Sequence, residues 1–285
     1  FQAEDGIGDL VGCGGLGEVK RRRAASRAGD GPPGEVNATV APRTAELDPA
    51  VNALADRSPD LVAAAERAAA ASERRFAAGM PLGPLDGIPV TVKENLARAG
   101  VPLRSGSAGA TPRVPSADSP VVERFSAAGA VLIGTTTMPD WGMLSSGVSA
   151  RYGLTRSPLD PSLTVGGSSA GAGAAAAGGY GSIHIGTDIG GSIRLPATWL
   201  GLVGHKPSYG RVPLEAPYLG RVAGPITRTV GDTAAAMAVV SGHDPRDWTA
   251  LPAAQLDWSL AEVSVDGLRV ALLLDSGAGM PRDPP

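Results

Sequence analysis

The residues of this chain that could do chemistry are a lysine and three serines, all beside glycines or apolar runs. Gly190-Gly191-Ser192 lies in "TDIGGSIRLPA" (187–197), between an apolar "SIHIG" run and a proline-punctuated stretch. Two residues without Cβ let the main chain turn successive N–H groups into one concavity and let a substrate atom come close, as an oxyanion hole requires. A serine directly after them would hold its hydroxyl beside those donors and could attack a carbonyl whose oxygen they bind. Taken alone, Gly-Gly-Ser is usually a turn. A serine nucleophile also needs a base, and the chain has only His184, His205 and His243. Lysine is the other option, since burial and neighbouring positive charge lower its pKa toward the neutral, proton-accepting form. Lys93, at the end of "GIPVTVK", sits in an apolar, glycine-flanked stretch, although a lysine at a strand end is ordinarily a surface residue. The pair Ser168-Ser169 in "GGSSAGAG" is the third feature.

The elements that must position these groups alternate between helix and strand. Ser58-Pro59-Asp60 supplies an N-cap, a first-turn proline and an acid that suits the helix dipole, and the alanine-rich run to Phe76 is stopped by Gly79 and Pro81. In "GIPVTVK", Ile88, Val90 and Val92 alternate with Pro89, Thr91 and Lys93, which is the period of a strand. Ser119-Pro120 opens the helix "VVERFSAA", and "AVLIGTT" after it reads as a buried strand. Further on, "SSAGAGAAAA" predicts a small-residue helix, "SIHIG" a strand, "TVGDTAAAMAVV" a helix closed by Gly242, and "LRVALLLD" a strand. Such alternation is economical only in an α/β fold.

The bulk composition narrows the function classes. Lys+Arg 25 against Asp+Glu 28 leaves no charge surplus to attract nucleic acid or an acidic membrane, and no apolar run has the length of a membrane span. The single cysteine, Cys13, excludes an internal disulfide and any multi-cysteine metal site, which suits a reducing, cytoplasmic setting. Residues 1–35 differ from the rest and are read as a disordered or non-native leader. Within them "GCGGLG" matches a dinucleotide-binding fingerprint but lacks a convincing preceding strand, and "KRRR" reads as a solvated tail. "FQAEDGIGDLVGCGGLGEVKRRR" also resembles the conceptual translation of sequencing-adapter read-through.

Taken together the three features change meaning. "GGSSAGAGAAAAGGYGSIHIGTDIGGSIRLPA" (166–197) resembles the signature block of the amidase signature family, with its two serine motifs 24 residues apart at Ser168 and Ser192. "GPLDGIPVTVKENL" is similar to the family's lysine segment and places that lysine at Lys93. "ERFSAAGAVLIGTTTMPDW", "GLVGHKPSYGRVP" and "VAGPITRTVGDTA" are family-like too, so the resemblance runs over about residues 45–275. It implies a mixed β-sheet core surrounded by α-helices, in a domain over 36–285 that is C-terminally truncated relative to the family. It also implies an amidase acting on a small-molecule carboxylic acid amide: neutral Lys93 takes a proton from Ser168, in a cis peptide after Gly167, and Ser168 takes one from Ser192 as Ser192 attacks. The N–H groups of Ile189, Gly190, Gly191 and Ser192 then hold the oxyanion, and no metal or organic cofactor is required. The part absent from the chain completes the sheet and much of the acyl pocket, so poor turnover by these 285 residues alone is expected.

Other readings remain beside this one. Asp188 and Arg194 are expected to orient loops through hydrogen bonds, and His184 to be a core histidine. Ser169 matches G-x-S-x-G, which supports an α/β-hydrolase esterase with Asp232 and His243 as partners, but that reading leaves Lys93 and "DIGGS" unexplained. Within the family the alternative is the A subunit of the glutamyl-tRNA(Gln) amidotransferase, a glutaminase. It typically has "DTGGS" and a longer segment before "GPITRT", whereas here Ile189 replaces the threonine. An inactive binding protein is disfavoured because all three catalytic positions are intact. "SSAGAG" and "TRSPLDP" depart from the usual "SSGGS" and "TRNPWDP". A homodimer is left open.

Overall fold

The computed structural model describes residues 33–259 and 266–271. Six strands form one mixed sheet: β1 (Leu54–Asp56), β2 (Pro89–Lys93), β3 (Val131–Thr136), β6 (Ile183–Asp188), β7 (Val203–Gly204) and β8 (Val222–Thr227). Their order is β1-β3-β2-β6-β8-β7. The central strands β3, β2 and β6 are mutually parallel, while β1, β8 and β7 pair antiparallel at the flanks. A small antiparallel pair, β4 (Val148–Ser149) and β5 (Gly153–Leu154), stands apart from the sheet.

Helices cover both faces, as a sheet with parallel central strands requires. They are α1 (Pro33–Val51), α2 (Pro59–Ala77), α3 (Pro120–Ala127), α4 (Ala170–Gly178), α5 (Arg194–Trp199) and α6 (Val230–Val240). Val90 and Val92 of β2 and Ile183 and Ile185 of β6 pack with Val121, Val122 and Phe125 of α3 and with Ala236 and Met237 of α6. The alternate residues Thr91, Lys93, His184 and Gly186 therefore point to the other face, where α4 lies. Helix α4 consists only of alanine and glycine and every one of its residues is buried. Side chains this small let the helix lie close to the strands: a Cβ on Gly186 of β6 would sit 2.8 Å from Ser169 Cβ, so β6 and the start of α4 are in contact only because residue 186 is glycine.

The expected elements at 59–76, 120–127, 170–178, 183–188 and 230–240 are present, and helices alternate with strands along the chain. Four details differ. Neither Ser58 nor Ser119 caps its helix through the side chain, so the proline at the first turn marks those starts; Thr229 does cap its helix, accepting from Asp232 N at 3.1 Å. Strand β2 is buried along its whole length, because it lies between two other strands with helices on both faces. The strand expected at 268–275 is not formed over 268–271, which are exposed, and its remaining residues lie outside the described ones, as do residues 1–32. Helix α1 begins at Pro33, within the stretch read as leader. Among the described residues no helix is long and apolar enough to cross a membrane.

Candidate active site

Because β3, β2 and β6 run parallel, their carboxyl ends meet at one edge of the sheet, where the segments after Lys93, Thr136 and Asp188 converge. Crevices of this kind are where open α/β sheets hold ligands. A cavity of about 610 Å³ opens there, lined by Ser168, Ser192, Ile189 and Gly190 together with Asn95 and Arg221. The loop from Trp141 to Ser145, Tyr218, and Thr187 and Asp188 at the end of β6 complete its wall.

Lys93 has no solvent exposure. Its Nζ lies 2.8 Å from Ser168 Oγ and 3.1 Å from Ser169 Oγ, across 75 residues of sequence in the first case. Burial pulls the amine down from the ordinary lysine value of 10.5 to about 7; the positive charge of Arg221 adds to this, and Asp188 opposes it. An amine in this state is neutral in much of the population near pH 7, and at 2.8 Å its lone pair can accept the Ser168 hydroxyl proton.

The Gly167–Ser168 peptide is cis, as the sequence resemblance implied. A Cβ on Gly167 would lie 2.6 Å from Ser146 O and 2.8 Å from Leu144 O, so the loop that forms the pocket wall closes directly on this glycine. Ser169, which sequence reasoning left ambiguous, is fully buried. Its hydroxyl donates to Thr187 O at 3.1 Å and accepts from Thr187 N at 3.1 Å, tying the start of α4 to the end of β6. Its backbone N–H donates to Ser192 O at 3.1 Å, which ties the two serine segments together.

Asp188 shapes the turn that carries Ser192. Its carboxylate accepts from the backbone N–H of Gly191 at 2.9 Å, Ile193 at 3.0 Å and Arg194 at 3.3 Å, and from the Arg194 guanidinium at 3.1 and 3.0 Å. Burial works to raise this carboxyl, but Arg194 and the three backbone donors outweigh it and hold it at about 2. Gly191, at φ +124°, takes a backbone conformation that side chains rarely adopt. Of the four amides expected to hold an oxyanion, that of Gly191 is thus already engaged. Asp188 and Arg194 play the orienting part expected of them, and His184 is a buried histidine bonded through Nδ1 to Thr91 Oγ1 at 2.9 Å.

The esterase arrangement is not assembled. The side-chain partner that meets Ser169 is a lysine, and His243 is exposed, its carbonyl accepting from Arg124. Among the described residues no group of three or more histidine, cysteine, aspartate and glutamate side chains converges as a metal ion would require. Sequence reasoning missed Arg221, Asn95 and the 141–145 loop, since each is a lone residue or irregular segment whose place in the pocket comes from tertiary structure alone.

Comparison with known proteins agrees with the fold. The Amidase family model matches residues 35–284. Among curated relatives, the glutamyl-tRNA(Gln) amidotransferase A subunit of Chloroflexus aurantiacus is 39% identical over 263 residues, covering 89% of this chain and 53% of that protein. Its counterpart from Anaeromyxobacter sp. is 44% identical over 190 residues, 65% of this chain and 38% of its own. The chain therefore spans about half the length of the curated relatives it matches. Among solved structures, a bacterial aryl acylamidase of the amidase signature family superimposes with TM-score 0.75 at 34% identity, over 82% of this chain and 49% of that one. The peptide amidase of Stenotrophomonas maltophilia does so with TM-score 0.72 at 33% identity, over 80% and 48%. With the family model matched from the first described helix onward and a lysine and two serines gathered at one edge of the sheet, the chain belongs to the amidase signature family.

Proposed function

We propose that this chain carries the catalytic centre for hydrolysis of a small-molecule carboxylic acid amide, with Ser192 as nucleophile, Ser168 as proton relay and Lys93 as base. The observation that carries the proposal is the buried, neutral-leaning amine 2.8 Å from the hydroxyl of a serine that lines the same cavity as Ser192. Ser168 gives its proton to Lys93 and takes the Ser192 proton as Ser192 Oγ bonds to the amide carbon. The carbonyl oxygen becomes an oxyanion held by the N–H groups of Ile189, Gly190 and Ser192, with that of Gly191 shared with Asp188. The proton then returns through Ser168 to the departing nitrogen, which leaves as ammonia or amine, and water attacking the acyl-enzyme releases the acid and restores Ser192. The chain's own side chains supply every proton transfer in this sequence.

Phosphonylation by a fluorophosphonate, in which the serine oxygen bonds to phosphorus as fluoride leaves, tests the proposal without depending on full turnover. One adduct on Ser192 is expected, absent in Ser192→Ala and slowed in Lys93→Ala by a factor on the order of 10²–10⁴. An adduct on Ser169, or no adduct, would overturn it, and the second result is the one an inactive binding protein would give.

A second reading, the glutaminase half of an amidotransferase, is favoured by the 39% identity to the Chloroflexus amidotransferase protein over most of the chain. Acylation of Ser192 by L-glutamine in preference to uncharged aliphatic and aromatic amides, followed by mass spectrometry, would select it.

A further inference from the structure

Arg221 stands just before β8 and lines the cavity that holds Ser168 and Ser192. Its backbone is fixed by a turn, Arg221 N donating to Tyr218 O at 2.9 Å, and its Nη2 donates to Ala216 O at 2.8 Å. The guanidinium carbon lies 5.8 Å from the centre of the Tyr218 ring, which holds the planar group in place from one side. Nε is out of reach of solvent and has no hydrogen-bond partner among the described residues. No ion pair joins Arg221 to a described carboxylate, and the acid that shares the pocket, Asp188, already accepts from Arg194 and three backbone amides. Burial lowers the guanidinium pKa and the Tyr218 hydroxyl alone works against it. A partly buried cation with no anion beside it carries a desolvation cost that an incoming anion would relieve.

We propose that Arg221 is the carboxylate receptor of this pocket, so that the amides taken by the site carry an anionic group on the same molecule as the reacting carbonyl. The proposal rests on the reading of the pocket as an amide-hydrolysing site, and it specifies the substrate class of that site. Arginine suits the task because its planar fork of donors matches a carboxylate and its charge is permanent. An uncharged amide of equal size fills the same space and leaves the cation unmatched.

The test is a binding measurement on the purified chain with Ser192→Ala, which prevents turnover. Calorimetric titration compares succinamate with 4-methylpentanamide, in which an isopropyl group replaces the carboxylate at similar size. Succinamate is expected to bind about tenfold tighter or better, with the advantage shrinking in high salt. Arg221→Met is expected to remove that advantage, bringing the two affinities together, while Arg221→Lys, which keeps the charge without the fork, retains part of it. Equal affinities in the parent chain, absence of succinamate binding, or an advantage that survives Arg221→Met each overturn the proposal. The comparison of two ligands in the parent chain decides the matter even where Arg221→Met fails to fold. The outcome is separable from the catalytic reading: a fluorophosphonate that ignores Ser192 while succinamate is still preferred removes the hydrolysis and leaves the anion site.

Discussion

If Lys93 is the base of the proposed mechanism, the state of this one buried amine sets the pH at which Ser192 reacts, and its effect can be worked through numerically. An ordinary lysine is neutral in about one molecule in 3,000 at pH 7. Held at about 7, Lys93 is neutral in about half of the population, a gain of roughly a thousandfold in base available at that pH. The rate at which a fluorophosphonate phosphonylates Ser192 should therefore follow a single ionisation with its midpoint near pH 7, falling about tenfold for each pH unit below it and levelling off above. Arg221→Met perturbs the amine without touching it. Burial remains the larger cause of the shift, but the neighbouring positive charge is gone, so the Lys93 pKa rises and the midpoint moves to higher pH. The rate at pH 6 then falls while the plateau at high pH is kept. A binding carboxylate offsets the same positive charge, so a saturating anion such as succinate should move the midpoint in the same direction in the parent chain and not in Arg221→Met. Stopped-flow phosphonylation from pH 5 to 9.5 measures all of these profiles. A midpoint near the ordinary lysine value, or a flat profile that Lys93→Ala does not alter, would refute the reasoning.

Stability carries a second signature of the same group: between about pH 7 and the ordinary lysine value of 10.5 the unfolded chain holds a proton that the folded chain has released, so folding stability rises with pH there and is lowest below it. Lys93→Met lacks that dependence, and its stability relative to the parent, measured by urea unfolding, should fall by up to about 1.4 kcal/mol per pH unit across the window. Asp188→Ala strips acceptors from three backbone amides and should cost about 3 kcal/mol or more, whereas Arg194→Ala should cost about 1 kcal/mol or less because that side chain is half exposed; chemical denaturation of both variants checks the order. Ser169→Ala removes a hydroxyl that meets Lys93 and both polar groups of Thr187, and should slow Ser192 acylation less than Ser168→Ala does while lowering stability by about 1–3 kcal/mol. Gly186→Ala drives a methyl group onto Ser169 and should lower the acylation rate and the Tm together.

The parts of this molecule that were legible in its sequence are those specified by neighbouring residues. Proline at the first turn and glycine past the last marked α2 and α3, and the small-residue run marked α4, because the preferences involved act over a few residues. Lys93, Ser168 and Ser192 each sit in a local pattern of glycines or alternating apolar residues that alone reads as a turn or a strand end, and it was the resemblance to the amidase signature family that joined them into one candidate site. The alternation in "GIPVTVK" also indicated that Lys93 shares a face with Thr91, opposite Val90 and Val92, and that face is the one α4 covers. What the pattern did not convey was full burial, which follows from the place of β2 between β3 and β6. Strand β8 escaped notice for a related reason. Its "VAGPIT" contains a glycine and a proline that argue against a strand, yet it pairs with β6 across five residues, with Gly224 opposite Gly186.

The residues that tune the site were illegible for a different reason. Arg221 lies 128 residues beyond Lys93 in an irregular segment, and nothing near it in sequence distinguishes it from an exposed arginine. Its influence on Lys93 exists only because β8 runs antiparallel beside β6, which brings the residue before β8 back to the sheet edge where β6 ends, with Asp188 opposite Val222. The same registration puts Asp188 where its charge opposes Arg221, and the engagement of its carboxylate by Arg194 and three backbone amides reduces what it offers to Lys93. The proton affinity of Lys93 is thus set by burial first and then by two charges whose positions are fixed by one strand pairing. A shift in the β6–β8 register that left Lys93, Ser168 and Ser192 in place would still change the proton affinity of the amine, and with it, under the proposed mechanism, the pH at which Ser192 is activated.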